Sequence, residues 1–183
     1  MLTSINPLGQ RARSQRWTVT VLLYTVASVV GGMTTGLVLG ALGEVLPVPT
    51  WAVAVLVLLA ALLDLVGRVP TGRRQVDEDW LTRYRAWVYA TGFGWQLGTG
   101  VVTIVTSAAT YAWLAVLVLL GLPAAVVVGG AFGLVRALPL LAGRTADTPE
   151  RLRDLARRLD SGRGWAQRLT PAALVVGGLG LLA

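Results

Sequence analysis

Cysteine, histidine and lysine are all absent from this 183-residue chain. Without thiols there is no disulfide, no dithiol redox couple and no cysteine nucleophile. Without imidazole as well, zinc centres built on sulfur or nitrogen and Ser-His-Asp chemistry are excluded. Charge is scarce too, at 14% of residues, against about 25% in a soluble domain. What remains holds no evident nucleophile–base pair or metal cluster, so the sequence predicts neither an enzyme nor a bound cofactor.

What is present is hydrophobic. The apolar fraction is 55% and the mean hydropathy +0.67. Residues 17–43, 45–63 and 86–135 contain no charged side chain. A spanning helix needs roughly 20 such residues, and a soluble core has no reason to keep so long an uncharged stretch. The expected fold is therefore all-α, a polytopic transmembrane helical bundle in a lipid bilayer. A tail of arginines followed by an apolar run imitates a signal peptide, but the run is far too long and lacks a cleavage site, so a retained anchor is expected.

All sixteen basic residues are arginine. With alanine and valine so abundant, this composition is associated with GC-rich bacterial genomes. The arginines fall between the apolar runs: Arg11, Arg13 and Arg16; then Arg68, Arg73, Arg74, Arg83 and Arg85; then eight from Arg136 to Arg168. Helices over 17–45, 50–67, 86–109, 112–135 and 165–183 put every arginine on one side, which the positive-inside bias makes the cytoplasm. The net charge of +7 then reports topology and not a nucleic-acid partner. Five crossings of the inner membrane follow, with the N-terminus inside. The order is a tail over 1–16, a helix pair over 17–68, an arm over 69–85, a second pair over 86–136, a cytoplasmic segment over 137–164 and a last helix over 165–183. The turn of the second pair falls near Thr110–Tyr111 or at Gly121-Leu122-Pro123, and the first divides the stretch evenly. Trp17, Trp87 and Trp165 sit at inner ends, Trp51 and Trp113 at outer ends, as interfacial belts require. Trp95 is the exception.

The text repeats. Arg16-Trp17, Arg85-Ala86-Trp87 and Arg163-Gly164-Trp165 open similar units, and LVGRVP at 65–70 matches LVRALP at 134–139. This predicts a two-helix internal repeat in parallel orientation, of the kind transporters use. In the last cytoplasmic segment, residues 148–160 read as an amphipathic helix capped by Asp147 or Thr148 and stopped by Ser161-Gly162. Leu152, Leu155 and Leu159 share one face, and Arg151, Arg153, Arg157 and Arg158 surround it, suited to anionic lipid headgroups or to a protein partner.

Inside the runs, Gly32, Gly36 and Gly40, and Gly94 with Gly98, form small-residue ridges for close helix packing. Gln96, Thr99, Thr103, Thr106 and Thr110 are spaced +3, +4, +3, +4, one polar stripe on a helix over 86–109. Thr25 and Ser28 form a shorter parallel on the first helix. Such a stripe makes interhelical hydrogen bonds or lines a path for a small polar solute. Asp64, the one acid inside an apolar run, is expected to pair with Arg68 four residues on.

The stretch FGWQLGTGVVTIV at 93–105 resembles the signature helices of the cytochrome c biogenesis and LysE-type transmembrane superfamily. That resemblance implies repeated helices that move electrons or small solutes. The redox branch bears a cysteine and a proline in this helix; here Gln96, Leu97, Gly98 and Thr99 stand there, so dithiol electron transfer is excluded. Two functions fit: a small transporter-like bundle for a polar solute, or a non-catalytic membrane subunit or scaffold that binds a partner through its arginine-rich arms. Either suits a homo-oligomer or association with another membrane protein.

Overall fold

The computed structural model describes residues 7, 10, 14–70, 83–101, 105, 107–145 and 147–182. Among these the secondary structure is helical throughout. The elements are α1 (Trp17–Val45), α2 (Thr50–Val66), α3 (Ala86–Thr99), α4 (Ala109–Leu119), α5 (Leu122–Ala142), a 3-10 turn (Gly143–Thr145) and α6 (Pro149–Gly180). Two of them, α1 and α5, are long and apolar enough to cross a membrane; α2 and α4 are shorter apolar helices.

Local chemistry sets the boundaries. Pro47 and Pro49 follow α1 and lack the amide that would extend it. α2 stops at Gly67, which adopts φ +68° and donates its amide to the Asp64 and Leu63 carbonyls, a left-handed cap that glycine takes without a Cβ penalty. α3 stops the same way at Gly100, φ +73°. Pro123 sits in the first turn of α5, where a missing amide costs nothing. Thr148 caps α6 by accepting the Arg151 amide at 3.3 Å.

The helices pack as two bodies. In the first, α1 lies between α5 and α3. Gly32 meets Gly129, Gly36 meets Ala125 and Gly40 meets Leu122, so α1 and α5 are antiparallel. A Cβ on Gly32 would stand 2.8 Å from the Gly129 carbonyl carbon, and one on Gly36 2.7 Å from that of Ala125. Only glycine permits this backbone-to-backbone approach. α3 runs parallel to α1, with Gly94 against Tyr24 and Gly98 against Ser28. Val21, Tyr24, Tyr89, Phe93, Ala137 and Leu140 form the core of this body. The second body joins α2, α4 and α6 around Val53, Val57, Ala60, Ala108 and Ala112, with Leu174 and Leu181 packed against them. α6 runs antiparallel to α2: Gly178 faces Val57 and Leu58, while Pro171 lies by Asp64.

Three expectations are corrected. The helix expected over 86–109 ends at Thr99, and α4 runs straight through Thr110–Tyr111, so the turn after it falls at Leu120–Gly121. Ser161-Gly162 does not end the amphipathic helix. One helix of 32 residues continues from Pro149 to Gly180, through Pro171, because the residues beyond the proline gain their packing on α2. The segments 65–70 and 134–139 share text but not conformation: the first ends a helix, and the second lies inside α5.

Candidate functional site

The interruption between α3 and α4 is where the two bodies meet. Thr99 lies beside Thr35, whose hydroxyl donates to the Thr99 carbonyl at 3.1 Å, so α3 stops well short of the far end of α1. Gly100 turns the chain, with the rings of Phe132 and Trp113 and the methyl of Thr110 packed around its α-carbon; a Cβ there would lie 3.2 to 3.4 Å from them. The C-terminus of α3 and the N-terminal turn of α4 thus adjoin at Gly100. Trp113, expected at an outer end, stacks on Phe132 at 3.7 Å between centroids, and Arg136 lies over the same Phe132 ring, 5.4 Å from its centroid.

The start of α4 meets Asp64 of α2. Asp64 Oδ2 accepts from the Ser107 hydroxyl at 2.8 Å and Oδ1 from the Ala108 amide at 2.7 Å. Ser107 Oγ in turn accepts the Ala109 amide at 3.1 Å. A helix begins with amides that have no partner within it. Here a carboxylate from another helix satisfies one of them directly and a second through Ser107, where the α4 dipole also favours negative charge. The expected Asp64–Arg68 pair is absent: the ion pairs among the described residues are Arg151–Asp147 and Arg157–Asp154. The left-handed cap at Gly67 carries the chain away before Arg68 completes the turn that pairing would need.

Beside Asp64 opens a cavity of about 840 Å³, lined by Val105 and Ser107 ahead of α4, by Asp64 and Val69, and by Gln167, Arg168 and Thr170 of α6. Thus Asp64 and Arg168, opposite in charge, line one cavity without pairing.

The residues picked out from the sequence are dispersed by this geometry. Gln96 and Thr99 belong to α3, where the Thr99 hydroxyl donates to its own Gln96 carbonyl at 2.8 Å. Thr110 belongs to α4, and Thr103 and Thr106 lie outside the described residues. Among the described members of the expected stripe, Gln96 and Thr99 lie on one helix and Thr110 on another, because Gly100 ends α3. Thr25 donates to Val21 of its own helix at 2.9 Å, whereas Ser28 donates across to the Gly133 carbonyl at 2.7 Å. Gly32, Gly36, Gly40, Gly94 and Gly98 all lie at helix–helix contacts. On α6, Arg151 pairs with Asp147 and Arg157 with Asp154, and Arg153 and Arg158 are exposed.

Sequence reasoning overlooked a buried network at the other end of the first body. The Gln10 amide donates to the Tyr89 hydroxyl at 2.9 Å, Thr20 donates to Gln10 Oε1 at 3.2 Å, and Tyr89 donates to Gln15 at 2.6 Å. It anchors the segment before α1 to α3. The signal was two glutamines among arginines, which solvent exposure explains equally well.

No family model, curated protein or solved structure matches the chain.

Proposed function

We propose that the chain is a small transporter-like protein of the bacterial inner membrane, with a site for a small polar solute where its third crossing is interrupted. The observation that carries this reading is the half-helix α4 capped by Asp64 beside the 840 Å³ cavity. Irregular backbone at membrane depth is tolerated only where it is buried in protein or lines a cavity, and discontinuous helices form the binding sites of many transporters.

The depth is consistent. α3 has 14 residues and α4 has 11, together about 37 Å at the usual rise of ~1.5 Å per residue, enough for one crossing of a core roughly 30 Å thick. Thr35, beside the end of α3, stands roughly 27 Å along α1 from Trp17 and roughly 15 Å from Val45. With α3 and α4 counted as one broken crossing, α1, α2, α5 and the second half of α6 supply the other four. Five crossings then keep Arg16, Arg68, Arg85 and the arginines after Val135 on the cytoplasmic side. Asp64 lies in the last turn of α2, one turn before Arg68, and a carboxylate at that end of a crossing is usually placed on a pathway or a wet cavity.

The absence of native thiols makes the test direct. Ser107→Cys, Val105→Cys and the buried control Ala54→Cys are each exposed to a membrane-impermeant, water-soluble thiol reagent in native membranes opened to both sides. A solute site predicts modification at 105 and 107 and none at 54. Equal protection of all three would remove the reading.

The scaffold alternative draws on α6. Its 32 residues extend about 48 Å, so residues 149–164 project beyond the part packed on α2. Leu159 on this half is exposed, and Leu152 and Leu155 are half-buried. A protein that co-purifies with the intact chain and is lost on Leu155→Glu and Leu159→Glu substitution would support that role instead.

A further inference from the structure

We propose that the cavity beside Asp64 is a binding site for a phosphate group, gripped by the guanidinium of Arg168. This deepens the transporter reading by naming the chemistry of its solute, and it rests on that reading for the placing of α6 in the bilayer. Arg168 lines the cavity together with Gln167 and Thr170. Its own helix offers it no acid: Gly164, Trp165, Pro171 and Ala172 stand three and four residues away. The ion pairs among the described residues lie earlier, at Arg151 and Arg157.

The acid among the lining residues is already committed. Asp64 accepts from the Ser107 hydroxyl through Oδ2 and from the Ala108 amide through Oδ1, so its charge is turned to the positive end of the α4 dipole. Thr170 spends its hydroxyl proton on the Ala166 carbonyl of its own helix, at 2.8 Å. What the side chains of α6 offer a solute here is therefore a cation, with the Gln167 amide beside it. A guanidinium presents its N–H groups as a planar fork that fits carboxylate and phosphate oxygens. The volume of about 840 Å³ is ample for either group.

The position of Arg168 on α6 chooses between them. Successive residues of a helix turn by about 100°. Pro171, Leu174 and Gly178 mark the face turned to α2, and Trp165, Leu169 and Val176 form an exposed apolar stripe on the opposite face. Arg168 stands between the two faces, with the cavity on one side and the apolar stripe on the other. Trp165, an interfacial residue by type, precedes it by one turn. At such a border the anion that the bilayer itself supplies is a lipid phosphate, and basic pockets between helices on the cytoplasmic side bind lipid headgroups.

The test is isothermal titration calorimetry on the full chain in dodecylmaltoside micelles, with three probes. Dihexanoyl phosphatidate carries phosphate and chains, glycerol phosphate carries the phosphate alone, and dihexanoylglycerol carries the chains alone. Phosphatidate should bind at one site per chain, and dihexanoylglycerol should not bind. Arg168→Gln should weaken phosphatidate about tenfold, the worth of one hydrogen bond to a charged group. Arg168→Lys keeps the charge without the fork and should fall between. Arg168 is exposed, so both variants should fold. Arg144→Gln, an exposed arginine of the turn after α5, should bind as the wild type does. Glycerol phosphate bound as tightly as phosphatidate, with the same loss in Arg168→Gln, would uphold the phosphate site and assign it a soluble source. A wild type that binds neither phosphate, equal binding of dihexanoylglycerol, or a loss in Arg144→Gln equal to that in Arg168→Gln would overturn the proposal. Calorimetry does not read water access at 105 and 107, so thiol labelling can succeed while phosphate binding fails, and the reverse.

Discussion

Replacing Gly32 by alanine should separate the two longest apolar helices. The new methyl would stand 2.8 Å from the Gly129 carbonyl carbon and 3.1 Å from the Gly133 amide nitrogen, both backbone atoms that cannot rotate aside. α1 and α5 must move apart by roughly 1 Å to restore ordinary contact, and overpacking of this kind costs about 1–3 kcal/mol. The same shift stretches the Ser28–Gly133 hydrogen bond, now 2.7 Å, whose loss adds about 0.6 kcal/mol on the average for interhelical bonds in membranes. Alanine also gains up to about 1 kcal/mol of helix propensity over glycine. Gly177→Ala in α6 isolates that gain, since nothing lies within 4 Å of its new methyl. The two variants should therefore differ by about 3 kcal/mol, with Gly32→Ala the less stable. Reversible unfolding in mixed micelles, followed by circular dichroism, measures the gap. Variants within about 0.5 kcal/mol of each other would refute the close approach of α1 and α5.

Gly100→Ala and Gly67→Ala form a second pair: both place a side chain at positive φ, a strain of about 1–2 kcal/mol, but only position 100 also meets Phe132, Trp113 and Thr110. Gly100→Ala should be the worse by about 1 kcal/mol in the same unfolding assay, and equal losses would show that the junction is loosely packed. Topology is checked by labelling Leu46→Cys and Glu150→Cys in right-side-out vesicles, where an impermeant reagent should reach position 46 alone; label at 150 would invert the proposed orientation. Gln96→Leu should change stability by less than about 1 kcal/mol, because α3 ends one turn later and single interhelical bonds are weak; a larger loss in thermal unfolding would restore a structural role for the polar stripe.

The helical class was legible because charge-free runs of helical length recur between the arginine clusters. The ridge at Gly32, Gly36 and Gly40 was legible because a spacing of four leaves one helix face without side chains. The interruption at Gly100 was not. Its neighbours Gly94 and Gly98 are helical glycines at helix contacts, and hydropathy does not distinguish a glycine that packs from one that turns. The threonine spacing then misled, since the period of 3.6 continues on paper across a break in the chain. Asp64 was visible as the one acid in its run, but its partner lies 43 residues away at Ser107. Local reasoning offered Arg68 because that residue is near in sequence. The continuity of α6 through Ser161, Gly162 and Pro171 likewise depends on packing against α2, which no local preference encodes.

The division into two bodies ties these features together. α1, α3 and α5 meet along glycine ridges with backbone against backbone, a contact that tolerates no sliding without steric clash. α2, α4 and α6 meet through valine, alanine and leucine side chains, which can repack at lower cost. Gly100 at the end of α3 adjoins Phe132 of α5 and Trp113 of α4, and Asp64 of α2 holds the start of α4 through Ser107 and Ala108. The first contact is steric and the second is electrostatic. The two bodies also share a glycine contact of their own: Gly43 of α1 lies against the Val118 backbone of α4, where a Cβ would stand 2.9 Å from the Val118 carbonyl carbon. A side chain at position 43 therefore pushes α1 from α4, and the ridge of small residues on α1 serves both bodies at once.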